Sequence, residues 1–185
     1  MIKNRFIIKG FKPENQSDFL LFLCNNTLTG IPYTFVSVHE LTETEYEQNH
    51  DFIQIQFPND MPSKAVPSAQ LIKKMDIELV ANSEILSTRF KLGFARFLRS
   101  IGLALNMTHD RIIIWDQDMF SLKVVDGNHN LRRISRVLRS LKLFRFDPYS
   151  NTLFRFLIIK QHEGVINVSK ETIAHWYRAK QGPQG

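Results

Sequence analysis

Residues 128–146, N-H-N-L-R-R-I-S-R-V-L-R-S-L-K-L-F-R-F, constrain the fold of this chain more than any other stretch. At about 100° per residue, Leu131, Ile134, Val137, Leu138, Leu141 and Phe144 fall on one arc of roughly 140°, while Arg132, Arg136 and Arg139 gather on a separate arc of roughly 60°. The pattern predicts an amphipathic helix whose apolar stripe other elements must cover and whose opposite side carries a basic ridge. Asn130 stands just before the first apolar position, where its side-chain oxygen is expected to cap the helix by accepting from first-turn amides.

A second long pattern begins after Ser83. Leu86, Phe90, Phe94, Phe97, Leu98 and Ile101 share an arc of roughly 120°, with Arg89, Arg96 and Arg99 on the other side and Gly102 near the end. This helix is the expected packing partner of the one at 131. Thr42 and Glu45 have the spacing of a capping box, predicting a helix with Tyr46, His50, Ile53 and Phe57 on one face until Pro58 stops it. Ser68 is expected to cap a helix with Leu71, Ile72, Met75 and Leu79 inward, and Ser17 to begin a short helix. After the break D-P-Y-S-N, residues 152–160 read as helical, and Ser169 caps a last helix containing Ile173, Trp176 and Tyr177.

Extended structure is confined to short pieces: R-F-I-I-K-G-F near the N-terminus, Y-T-F-V-S-V-H with its alternation, and the runs 112–115 and 122–125, which suggest a hairpin across a polar turn. The expected fold is therefore mainly α, a single-domain helical bundle with a small β-hairpin or extended segments at the N-terminus and near 111–126. Residues 1–40 read as an N-terminal extension packed on the domain, 41–180 as the helical domain, and 181–185 as a disordered tail.

With 43% hydrophobic residues and fifteen Phe, the 185 residues can bury a continuous core. Lys and Arg number 24 against 18 Asp and Glu, so the basic surface favours phosphates, acidic partners or anionic membranes. The only cysteine, Cys24, lies in an apolar run and reads as a buried thiol in a reducing compartment. No apolar run approaches the roughly 20 residues needed to span a bilayer, and the N-terminus lacks a secretory pattern. An intracellular protein, cytoplasmic or nuclear, is expected.

Catalytic chemistry finds no foothold in the wording of the chain. G-x-S-x-G, H-E-x-x-H and P-loop motifs are missing, and Asp110, Asp116, Asp118 and Asp126 have turn chemistry without calcium-loop spacing. His50 has no Cys or His at i+3 or i+4 to complete a metal pair. No enzyme, metal or cofactor is expected. Binding has better candidates. His129 and Asn130 open the basic helix beside Arg132 and Arg133, where an anion can meet first-turn amides. Arg132, Arg136 and Arg139, joined by Arg89, Arg96 and Arg99, have the character of a phosphate-tracking face, which makes nucleic acid or another polyanion the alternative partner.

Two stretches together resemble the conserved N-terminal domain of the opioid growth factor receptor family. Residues 46–58, Y-E-Q-N-H-D-F-I-Q-I-Q-F-P, are similar to that family's acidic run, histidine and Y-I-Q-W-L-F-P. Residues 129–141, H-N-L-R-R-I-S-R-V-L-R-S-L, are similar to its H-N-N-L-R-I-T-R-I-L-K-S-L, and N-S-E-I at 82–85 is similar to its S-S-x-E-I helix start. Ile55 and Gln56 stand where the family has tryptophan and leucine. The resemblance spans roughly residues 41–160. It implies a mostly helical, non-catalytic domain, associated in animal members with binding an opioid pentapeptide, with growth regulation, and with a nuclear or membrane-associated location. The expected function is thus recognition of a peptide or protein partner, opioid-like by resemblance, with peripheral membrane association in its range. The expected site is a groove lined by Phe57, Phe94 and Leu138, with His50, His129, Asn130, Arg132, Arg133, Arg136 and Arg139 around it and a peptide carboxylate on Arg133 or Arg136.

Overall fold

Ser17 accepts the Leu20 amide at 3.3 Å and so starts α1 (Asp18–Leu23), as the sequence predicts. The computed structural model of the chain describes residues 16–26, 28, 33–49, 52–62 and 69–183. The strand expected in R-F-I-I-K-G-F lies outside them. The alternating run after Tyr33 is helical instead of extended, forming α2 (Phe35–Glu40). Its cap explains the difference: the Ser37 amide donates to Thr34 Oγ1 at 3.3 Å and the Thr34 amide to Ser37 Oγ at 2.8 Å, and this reciprocal pair outweighs a weak period of two.

The Thr42–Glu45 box opens α3 (Glu43–Gln48) as expected, the Thr42 amide reaching Glu45 Oε2 at 2.8 Å. The helix then breaks at Asn49, whose backbone is extended, and resumes as α4 (Phe52–Gln56) ahead of Pro58. The single helix read across 43–57 is therefore two, although Tyr46, Ile53 and Phe57 are all buried. Ser68 lies outside the described residues, and α5 (Lys74–Asn82) starts at Lys74. Leu71 and Met75, expected inward, are exposed. The buried face of α5 is set by Val80 and by Asp76, whose carboxylate accepts the Ser17 hydroxyl at 2.7 Å and the Lys73 amide at 2.8 Å.

Ser83 accepts the Leu86 amide at 3.3 Å and begins α6 (Glu84–Ser100), whose six predicted apolar positions are all buried. The chain forms two compact units that divide between Gly93 and Phe94, within this helix. In the first, α1 packs on α4, and the core is aromatic: Phe19 meets Phe90 edge-on at 5.9 Å, Phe22 meets Phe35 at 5.9 Å, and Tyr46 meets Phe52 at 4.6 Å.

In the second unit, Gly102, at φ 79°, turns the chain out of α6 into β1 (Leu103–Asn106). Its partner is β2 (Arg111–Ile114), antiparallel, with Leu103 opposite Ile114 and Asn106 opposite Arg111. The hairpin thus uses the run 112–115 but pairs it backwards. Residues 122–125 are not its second strand, because Asp116 accepts the Met119 amide at 2.9 Å and starts α7 (Gln117–Lys123).

Three helices complete this unit: α8 (Asn130–Leu143), α9 (Asp147–His162) and α10 (Lys170–Gln181). The segment D-P-Y-S-N, expected to break the chain, instead starts α9, since Pro148 occupies the first turn where its missing amide costs nothing. Lys142 of α8 pairs with Asp147 there. α8 packs extensively on α10 and α9. Trp176, fully buried on α10, donates from Nε1 to the Leu131 carbonyl at 3.1 Å, and Ser150 donates to the Leu138 carbonyl at 3.1 Å. The protein is mainly α, with ten helices and one two-stranded hairpin among the described residues.

Candidate functional site at the start of the basic helix

Where α8 begins, an open cleft of about 580 Å³ is lined by Gly127, Asn128, His129, Leu131, Arg132 and Ser135 on one side and by Glu171, Thr172 and His175 on the other. Its two walls are tied together from below. Val125 bridges to Asn167, the Asp126 amide donates to the Asn167 carbonyl at 3.1 Å, and the Asp126 carboxylate accepts the Ser169 amide at 2.9 Å. That carboxylate also takes the Thr172 hydroxyl at 3.5 Å. One acid therefore fixes the loop entering α8 against the first turn of α10. Trp176 adds the second tie through Leu131.

Asn128 shapes the floor. Its Oδ1 accepts the Asn130 amide at 2.9 Å, its carbonyl accepts the Leu131 amide at 3.2 Å, and its Nδ2 donates to the Leu122 carbonyl at 3.3 Å. The Arg132 and Arg133 amides go to the His129 carbonyl at 3.1 and 3.4 Å. First-turn amides expected to greet an anion are thus already taken by the chain itself. Asn130 is not the cap: it is buried inside the helix, where its Oδ1 accepts from Arg133 Nη1 at 3.2 Å.

The side chains, not the amides, give the cleft its chemistry. Arg132 and His129 are exposed on the α8 wall. On the α10 wall, Arg178 faces Nδ1 of His175 at 3.0 Å and Glu171 stands 3.5 Å from Nε2 of the same ring. With Nδ1 accepting from the guanidinium, the ring carries its proton on Nε2 toward the carboxylate. The lining thus holds a cation, Arg132 on α8, and an acid, Glu171 on α10, together with the hydroxyls of Ser135 and Thr172 and the apolar Leu131.

Over residues 21–178 the sequence matches the family model of the opioid growth factor receptor (OGFr) conserved region. The chain belongs to that family. Comparison with curated proteins and with solved structures finds no match. In this opioid growth factor receptor-type chain, the two family-like motifs lie in different units: residues 46–58 in the first, and residues 129–141 along the cleft and the α8 core in the second.

Of the residues singled out from the sequence, His129 and Arg132 meet at the cleft. Arg133 is 6% exposed and Asn130 fully buried, so both support the wall from behind. Arg136 and Arg139 are half-buried, and burial lowers the Arg136 guanidinium to about 10. Arg96 is buried, while Arg89 is half-buried, its guanidinium 5.4 Å from the Phe35 ring and donating to the Leu23 carbonyl. Of the six arginines read as a phosphate-tracking set, Arg99 and Arg132 are exposed, Arg89, Arg136 and Arg139 half-buried and Arg96 buried. His50 lies outside the described residues. Phe57, Phe94 and Leu138 are fully buried, Phe57 against Phe90 and Phe94 against Tyr149, and therefore line no open groove.

The sequence reading missed Asn128, Ser135, Glu171, Thr172 and His175. A signal for part of this set was present: Glu171, His175 and Arg178 recur at helical spacing on the polar side of α10. Nothing in the sequence pattern placed that side next to His129, because the pairing depends on Asp126 and Trp176 reaching across from other elements. Among the described residues, no group of three or more His, Cys, Asp and Glu is placed to hold a metal ion. No helix among them is long and apolar enough to cross a membrane.

Proposed function

We propose that this opioid growth factor receptor-type domain is a non-catalytic, intracellular binding module that takes a short peptide, free or as a segment of a protein, in the cleft between α8 and α10. The observation that carries the reading is that Arg132 of α8 and Glu171 of α10 line one opening whose volume suits a few residues. A peptide carboxylate pairs with Arg132, which replaces the buried Arg133 and half-buried Arg136 in that role, and an ammonium group pairs with Glu171. Ser135, Thr172 and His175 supply donors and acceptors for the backbone between, and Leu131 a small apolar contact. The family's description makes an opioid-like peptide the first ligand to try. The single Cys24, buried as a thiol, accords with a reducing compartment.

A fluorescence-polarisation titration with a labelled enkephalin-like peptide, repeated with Arg132→Glu and Glu171→Lys, tests the reading. The expected result is saturable binding at physiological salt that weakens about ten-fold or more in each variant and partly returns in the double charge swap. Duplex DNA and single-stranded RNA serve as competitors. Binding of these polyanions that falls steeply with salt, with no peptide binding, would replace this reading by the polyanion one.

A further inference from the structure

A single imidazole stands between an acid and a guanidinium on α10. His175 Nδ1 lies 3.0 Å from Nη2 of Arg178, and its Nε2 lies 3.5 Å from the Glu171 carboxylate, each neighbour one helical turn away. Among the described residues, neither the Glu171 nor the Arg178 side chain has another polar partner. The side chains of His175 and Glu171 are 56% and 83% exposed, so protons and ligands reach both directly. Glu171 is also the one acid among the described residues that line the cleft, where α8 contributes His129 and Arg132. The carboxylate beneath it, Asp126, is already held by the Ser169 amide at 2.9 Å.

The ring serves both neighbours only while it is neutral. A neutral imidazole has one acceptor and one donor, and here the acceptor meets a guanidinium and the donor meets a carboxylate. A second proton goes to Nδ1, the nitrogen beside Arg178. It removes that acceptor, sets two cations side by side, and turns the polar contact at Nε2 into an ion pair with Glu171. Imidazole is the side chain whose charge ordinarily changes between about pH 5 and 8, so the exchange belongs to that range. The remaining charged or titratable groups around the ring are Arg178 on α10 itself and His129 and Arg132 in the α8 part of the lining, which leaves Glu171 as the partner for the new charge. We infer that protonation of His175 closes the cleft to ligand ammonium groups by drawing Glu171 into an ion pair, so that an ammonium-bearing peptide is held at neutral pH and released in acid. This regulation rests on the peptide reading of the cleft, in which Glu171 receives the ammonium.

The test is calorimetric titration of the full chain with an enkephalin-like pentapeptide bearing a free amino end, and with its N-acetylated form, at about pH 7 and about pH 5.5. Because one proton competes with one ammonium, affinity for the free peptide should fall about five-fold or more between these conditions. Affinity for the acetylated peptide, which brings no ammonium, should change little. His175→Gln should abolish the difference between the two conditions, since an amide offers a donor and an acceptor without titrating, and His129→Gln should preserve it. In NMR spectra the His175 ring signals should titrate over the same range as the loss of affinity. A flat profile for the free peptide, an equal fall for the acetylated one, or a pH dependence that disappears with His129→Gln instead would overturn the inference and leave the cleft reading standing. Absence of binding by both peptides in both conditions would remove the cleft reading and this regulation with it.

Discussion

Arg133 Nη1 donates to Asn130 Oδ1 at 3.2 Å, one turn back along α8, with both residues buried behind the cleft. A buried guanidinium needs its acceptors, because a charge cut off from water is costly when a hydrogen bond is missing. Asn130→Ala is therefore expected to cost about 1–3 kcal/mol, although its own position is helical and alanine favours helix. Urea denaturation would show the loss; an Asn130→Ala protein as stable as the parent would mean that Arg133 gains nothing from this acceptor.

The turn from α6 into β1 gives a second prediction. Gly102 has φ 79°, and a Cβ there would meet the Asp116 carbonyl oxygen at 2.5 Å and the Phe120 amide nitrogen at 2.6 Å. Backbone cannot step aside as a flexible side chain can. Gly102→Ala adds left-handed strain of roughly 1–2 kcal/mol to an overpacking cost of roughly 1–3 kcal/mol. Gly127, at φ 84° with nothing within 4 Å of the added atom, should show the strain alone. Thermal melts of the two variants should therefore differ, Gly102→Ala melting clearly lower.

The contrast between these positions also marks what a sequence can say. Periodicity named the buried residues of α6 and α8 because a helix buries whatever stripe it carries, whichever neighbour covers it. Capping chemistry is local, and so Ser17, Thr42, Ser83 and Ser169 were legible. The misreadings each involve a competitor from outside the local pattern. Asn128 took the Asn130 amide, Asp116 turned a strand-like run into α7, and Asp76 drew α5 inward through Ser17. Half of the cleft was invisible for the same reason, since Glu171 and His175 become part of it through the grip of Asp126 on Ser169 and the bond from Trp176 to Leu131.

Alkaline pH should reveal two protons held by burial. The Cys24 thiol is raised from 9.0 to about 11, chiefly by burial and with Arg89 opposing it. Burial and the hydrogen bond to Asp110 raise the Tyr149 hydroxyl from 10.0 to about 12. In both cases the folded state keeps a proton that the unfolded chain releases earlier. The stabilisation is complete below about pH 9 and is lost as pH rises, through about 11 for Cys24 and then about 12 for Tyr149. Denaturation midpoints measured from neutral pH upward should fall across this window. Tyr149→Phe should flatten its upper part, and Cys24→Ala the lower.

Trp176 offers the sharpest separation of packing from hydrogen bonding. Its ring is fully buried on α10, and its Nε1 reaches the Leu131 carbonyl on α8 at 3.1 Å. Trp176→Ala removes the ring and should cost about 3–5 kcal/mol. Trp176→Phe keeps most of the apolar volume and removes the donor, for an expected cost of about 1–2 kcal/mol. Because this bond ties α10 to the first turn of α8, the phenylalanine variant should also disturb the cleft. Amide NMR shifts of Arg132, Thr172 and His175 should move with the substitution, while those of the β1–β2 hairpin stay in place. A Trp176→Phe protein with unmoved cleft amides would leave Asp126 and Ser169 as the tie that positions the two walls.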